Sequence, residues 1–173
     1  MELQSLFLWI FFLSGIEGTY FHGVEFNATQ RASTCRVGWT RYQNSCYLFV
    51  SQEKEDWAEA HYHCGVLHGY LADILDADES TFVKTELQRR HASGCFYIGA
   101  TDVELDGQWL WTNTDDPVLY TDWGNGEPNG DIAENCICLH DNHQFRWVDV
   151  KCNRDFSFIC KMRLTEPGPD VIG

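Results

Sequence analysis

Between Trp123 and Asp149 the chain gathers oxygen donors around turn-forming residues. They run Glu127-Pro128-Asn129-Gly130, then Glu134-Asn135-Cys136, then Asp149 shortly before Cys152. Carboxylate and amide oxygens spread over one Gly/Pro-punctuated loop suit Ca²⁺, a hard cation that takes about six to eight oxygens in flexible geometry. The same side chains can also meet hydroxyl groups. A carboxylate such as Glu127 accepts a hydrogen bond, and the amide NH₂ of Asn129 donates one. Other constellations carry less chemistry. His61-Tyr-His63 and His140-x-x-His143 offer imidazoles with no evident third ligand, and read as surface or core histidines. After the first eighteen residues there is no Gly-x-Ser-x-Gly elbow, no phosphate loop and no nucleophile–base arrangement, which argues against an enzyme.

The elements that must position this loop follow from caps and period. Asp56-Trp-Ala-Glu59 resembles a capping box opening a helix, with Trp57, Ala60, His61 and Cys64 at three- and four-residue steps. Asp76-Ala-Asp-Glu79 predicts a second helix through Phe82, Val83 and Leu87 to about Arg90. Short strands are expected at Ser45–Val50, Phe96–Ala100, Gln108–Trp111, Asn135–His140 and Phe156–Met162, separated by Gly/Asp/Asn turns. Trp109, Trp111 and Trp147 lie in strand-like segments and read as core. Two early helices, short strands and one long loop predict an α+β domain.

Composition bounds the setting. Residues 1–18 read as a secretory signal: Leu6 to Leu13 is an unbroken apolar run with Ser14, Gly15 and Gly18 behind it, although Glu2 stands where a basic residue is usual. The run is shorter than the roughly 20 apolar residues a membrane span needs, so a secreted, extracellular protein without membrane insertion is expected. Residues 19–34 read as a polar linker carrying an N-glycosylation sequon at Asn27, with neither a Gly-X-Y repeat nor heptads. Residues 163–173 read as a flexible tail. The eight cysteines fit a disulfide framework in an oxidising compartment. Net charge is −14, or about −12 without Glu2 and Glu17, which argues against nucleic-acid partners.

An ordered set of short strings carries a resemblance. Cys35-Arg-Val-Gly-Trp39, Ser45-Cys-Tyr47, Trp57-x-x-Ala60-x-x-x-Cys64, Leu71-Ala-Asp-Ile74, Phe96-Tyr-Ile-Gly99, Trp123, Glu127-Pro128-Asn129, Glu134-Asn-Cys136 and Phe158-Ile-Cys160 resemble the long form of the C-type lectin domain over residues 35–162. The resemblance implies two helices, two small antiparallel sheets and a long calcium-binding loop. It implies Ca²⁺ as cofactor, held by Glu127, Asn129, Glu134 and Asp149, with the same residues meeting sugar hydroxyls. The Glu-Pro-Asn order implies mannose-type glycans, with Pro128 cis. Innate recognition of microbial surfaces is the implied setting, and useful avidity would require an oligomer. Asp102 and Asp106 match an auxiliary calcium position, where an ordinary Asp/Gly turn at Asp106-Gly107 is an equal reading.

By the same resemblance the pairs Cys35–Cys46, Cys64–Cys160 and Cys136–Cys152 are implied. Cys95 and Cys138 fall outside that pattern. Cys138 shares a strand face with Cys136, and a fourth internal bridge, Cys95–Cys138, is favoured over an inter-chain bond or a zinc site. One departure stands out: where the family has Trp-Asn-Asp, this chain has Trp147-Val148-Asp149, and valine offers no side-chain oxygen. The alternative is therefore a lectin-like domain with a degraded calcium site that binds a protein or a mineral or ice surface.

Overall fold

The computed structural model describes residues 34–130 and 132–164. The signal, the linker as far as Ser33 with its Asn27 sequon, Asp131 and the tail beyond Leu164 lie outside the described residues. Both helix starts follow local chemistry. Asp56 caps α1 (Trp57–Val66) by accepting the Glu59 N–H, and Asp76 caps α2 (Ala77–Arg89) by accepting the Glu79 N–H. The reciprocal half of the second box is absent, because the Glu79 carboxylate turns inward and accepts the Leu75 N–H at 2.8 Å instead.

Among the described residues nine strands form one mixed hydrogen-bonded network: β1 (Thr40–Tyr42), β2 (Ser45–Glu55), β3 (Tyr70–Leu71), β4 (Cys95–Thr101), β5 (Leu110–Trp111), β6 (Asp116–Pro117), β7 (Cys136–His140), β8 (Arg146–Val150) and β9 (Phe156–Arg163). Two antiparallel groups are recognisable within it. One is β1, β2, β3 and β9; the other is β4, β5, β6, β7 and β8. A short parallel ladder, Phe96↔Ser157 and Tyr97↔Phe158, joins them through β4 and β9, so the two expected sheets share their backbone bonds. The β9 pairing reaches Arg163, and the Leu164 N–H donates to the Asn44 carbonyl.

Hydrophobic side chains fall into two clusters on the faces of this network. One holds Ile74, Val83, Leu87, Ile98, Ile137 and Trp147; the other packs Leu71, Tyr97 and Phe158 around the half-cystines of α1, β4, β7 and β9. Four disulfides are present: Cys35–Cys46, Cys64–Cys160, Cys95–Cys138 and Cys136–Cys152. Cys64–Cys160 spans 96 residues and ties α1 to β9. Cys136–Cys152 ties the start of β7 to the chain just beyond β8, at the foot of the long loop.

Between α2, β9 and the residues just after β3 lies a buried ionic group that sequence patterns did not mark. Lys161, Asp73 and Glu79 are each 5% exposed or less. The Lys161 ammonium donates to Asp73 Oδ1 at 2.5 Å and to the Glu79 carboxylate, which also accepts the Tyr47 hydroxyl. Burial and that carboxylate push the Tyr47 hydroxyl far above its ordinary pKa. Lys161 stands 88 positions from Asp73 and 82 from Glu79 along the chain, so only the fold brings the ammonium to the two carboxylates.

Candidate functional site

The long loop between β6 and β7 is held down by aromatic rings and backbone bonds. Trp123 packs against Trp109 and Trp147, with ring centroids 5.3 and 5.7 Å apart, and Trp147 also meets Trp111 and Tyr120 edge-on. The Trp147 N–H donates to the Asp122 carbonyl, and the Gly124 N–H donates to the Trp147 carbonyl. These bonds stitch residues 122–124 alongside β8. Gly124 is needed there: a Cβ would come within 2.5 Å of His143 Nδ1. Glu127 then turns back, its N–H donating to the Gly124 carbonyl, and the Glu127–Pro128 peptide is cis.

The predicted donors converge on this turn. Asp149, on β8 and 5% exposed, accepts the Asn129 N–H at 3.0 Å on one oxygen and the Gly130 N–H at 2.7 Å on the other. The Asn129 amide NH₂ donates to Glu127 at 2.7 Å. Glu134 approaches from the far end of the loop. A Cβ on Gly130 would lie 2.6 Å from both Glu134 Oε2 and Asp149 Oδ2, so the two carboxylates close over a position that only glycine can fill. Glu127, Asn129, Glu134 and Asp149 thus come together. Asp102 and Asp106 lie in the β4–β5 turn. Asp102 is buried and accepts the Gly107 N–H on one oxygen, while its other oxygen has no hydrogen-bond partner; Asp106 is exposed.

Electrostatics mark the same cluster. Burial raises the Glu127 carboxyl pKa, the neighbouring Asp149 and Glu134 raise it further, and His143 opposes them. Its side chain is 5% exposed, and His143 Nε2 stands 3.8 Å from its carboxylate. Desolvation likewise raises Asp102, with Asp106 and Asp149 adding to the effect and the Gly107 N–H opposing it. Two buried carboxyls raised by desolvation and by carboxylate neighbours mark a site short of positive charge. A divalent cation bound by oxygen would relieve that, so the donor set fits calcium. Glu127, Asn129, Glu134 and Asp149 would hold it, and the ion would supply a coordination centre for paired hydroxyls.

Two residues alter the sequence reading of the site. In the sequence His143, like His140, reads as a surface or core histidine. The left-handed Gln144 and Phe145 that follow turn the 3₁₀ segment Asp141–His143 back towards β8, where His143 reaches Gly124 and Glu127. No local pattern announces that contact. Val148 pairs with Cys138 across β7 and packs against the cystine cluster, so it adds no polar donor to the site.

The family profile described as "Lectin C-type domain" matches residues 53–162, more than half of the chain. The chain belongs to the C-type lectin domain family. The family is one of non-enzymatic lectin domains, and this chain is not an enzyme. The "Perlucin-like protein" of Mytilus galloprovincialis is 32% identical over 129 residues, spanning 73% of this chain and 81% of that protein. The "Alpha-N-acetylgalactosamine-specific lectin" of Patiria pectinifera is 34% identical over 137 residues, spanning 73% and 79%. Among solved structures, a "calcium-independent type II antifreeze protein" superposes with a TM-score of 0.68 at 25% identity, covering 79% of this chain and 99% of that one. Among the described residues of this C-type lectin domain, no helix is long and apolar enough to cross a membrane.

Proposed function

We propose that this chain is a secreted, calcium-dependent lectin for mannose-type glycans, such as those on microbial surfaces. Glu127, Asn129, Glu134 and Asp149 hold both the ion and the sugar hydroxyls. The closing of Glu134 and Asp149 over Gly130, beside a Glu127 carboxyl raised by burial and by its acidic neighbours, is the observation that carries the reading. At the sugar contact Glu127 accepts from one hydroxyl and Asn129 donates to the adjacent one, while both hydroxyls face the ion. Asp102 and Asp106 form at most an auxiliary calcium position. Secretion rests on the apolar run Leu6–Leu13 and on the four disulfides, with Asn27 as a glycan acceptor. Without Val148 contributing an oxygen, calcium binding is expected to be weaker than at a site with that ligand, because affinity depends on ligand number and charge. One shallow site per chain makes oligomer avidity part of the proposal.

Val148 also favours a second reading. A lectin-like domain whose calcium site is incomplete would bind a protein, mineral or ice surface, and a calcium-independent relative shares this fold. A glycan array separates the two. Retention of mannose-terminated over galactose-terminated glycans, abolished by EDTA and restored by Ca²⁺, is expected. Binding that ignores EDTA, or no glycan binding alongside retention on a mineral or ice surface, would favour the second reading. A preference for galactose-type glycans would keep the lectin and overturn the mannose assignment.

A further inference from the structure

On the side of the domain built by β2 and α1, three metal-ligating side chains meet. Glu53 and Glu55 are two apart on β2 and therefore share a strand face. His63 comes from α1, and its ring is set by an edge contact with Phe158 at 5.1 Å. The His63 Nδ1 atom lies 2.9 Å from Glu55 Oε1 and 3.7 Å from Glu53 Oε2, and one donor atom from each residue falls within 4.8 Å of the others. A tetrahedral zinc ion with ligands about 2.0–2.1 Å away places its donors roughly 3.4 Å apart, between the two observed distances.

An ordinary ion pair explains only part of this. A His63–Glu55 pair uses Glu55 Oε1, yet Glu55 Oε2 is buried with no hydrogen-bond partner. Glu53 is an additional carboxylate aimed at the same imidazole nitrogen. A nitrogen donor with two carboxylates suits a borderline transition ion better than calcium, which prefers oxygen alone.

We propose that Glu53, Glu55 and His63 form a zinc site distinct from the calcium loop, clipping the end of β2 to α1. The fourth position opens to solvent beside the exposed Tyr62 and is filled by water. None of the three residues belongs to the loop site, so binding here is independent of the sugar-binding reading. Calorimetric titration of the chelator-treated full chain with Zn²⁺, in saturating Ca²⁺, tests it. One equivalent of zinc is expected, with affinity falling at least tenfold in His63→Ala and, separately, in Glu53→Gln, and unchanged in Glu127→Gln. The Glu53 side chain is 65% exposed, so Glu53→Gln keeps the fold and guards against a misfolded His63 variant. Absence of zinc binding, equal affinity in wild type and Glu53→Gln, or loss of zinc in Glu127→Gln would each overturn the site.

Discussion

At the scale of single residues, the proposed lectin site would have Glu127 and Asn129 set the direction of the hydrogen bonds offered to a sugar. Exchanging them, Glu127→Gln with Asn129→Asp, reverses acceptor and donor. With each bond worth about 1 kcal/mol, preference should move from mannose towards galactose by roughly tenfold or more in a competition assay. The raised Glu127 carboxyl gives a pH dependence of definite sign. Calcium needs the carboxylate, and a group whose pKa is raised binds its proton at higher pH than an ordinary glutamate. Calcium affinity should therefore fall as pH is lowered, starting above the usual glutamate range, and a calcium titration at stepped pH measures it. Glu127 and Asn129 were legible in the sequence because the triplet is contiguous. His143 was not, because its contact with Glu127 depends on how two left-handed residues turn the chain after it.

At the scale of elements, the loop depends on backbone as much as on side chains. The substitution Gly130→Ala places a methyl group 2.6 Å from two carboxylate oxygens. Calcium affinity should drop by roughly tenfold, about 1.4 kcal/mol, in a calcium titration of the folded variant, because the methyl group forces the two carboxylates apart. Removing a helix cap should do the reverse. Asp56→Ala lies away from the loop and should cost about 0.5–2 kcal/mol of stability in denaturant unfolding with calcium affinity kept. Both caps could be read from sequence because a cap is a local event spanning four residues. The parallel ladder between β4 and β9 could not, since Phe96 and Ser157 meet across some sixty residues of chain. Nor could the stitching of residues 122–124 to β8, which is made by backbone groups that carry no side-chain signature.

Across the whole molecule the disulfides divide the labour. Cys64–Cys160 closes a span of 96 residues, and its removal as a double alanine variant should cost about 4–5 kcal/mol in the chain-entropy picture. Cys136–Cys152 closes only 16 residues, worth about 3 kcal/mol, but it ties the foot of the loop proposed to bind calcium. Its loss should weaken calcium binding more than the stability change alone would. The spacing of Cys95 and Cys138 left an inter-chain bond open, whereas the pairing of Tyr97 with Cys138 across β4 and β7 brings the two half-cystines together within one chain. The buried group of Lys161, Asp73 and Glu79 escaped the sequence because Asp73 and Lys161 stand singly in apolar strings and Glu79 in a helix-capping pattern, and nothing local pairs them before the fold closes.

Calcium-dependent sugar binding at Glu127, Asn129, Glu134 and Asp149 is tested most directly by one calorimetric experiment: Ca²⁺ into the chelator-treated chain, then mannose at saturating Ca²⁺. Expected are saturable calcium binding, mannose heat seen only with calcium present, and loss of both in Glu127→Gln. Mannose binding without calcium, or calcium and mannose binding that survive in Glu127→Gln unchanged, would contradict the site.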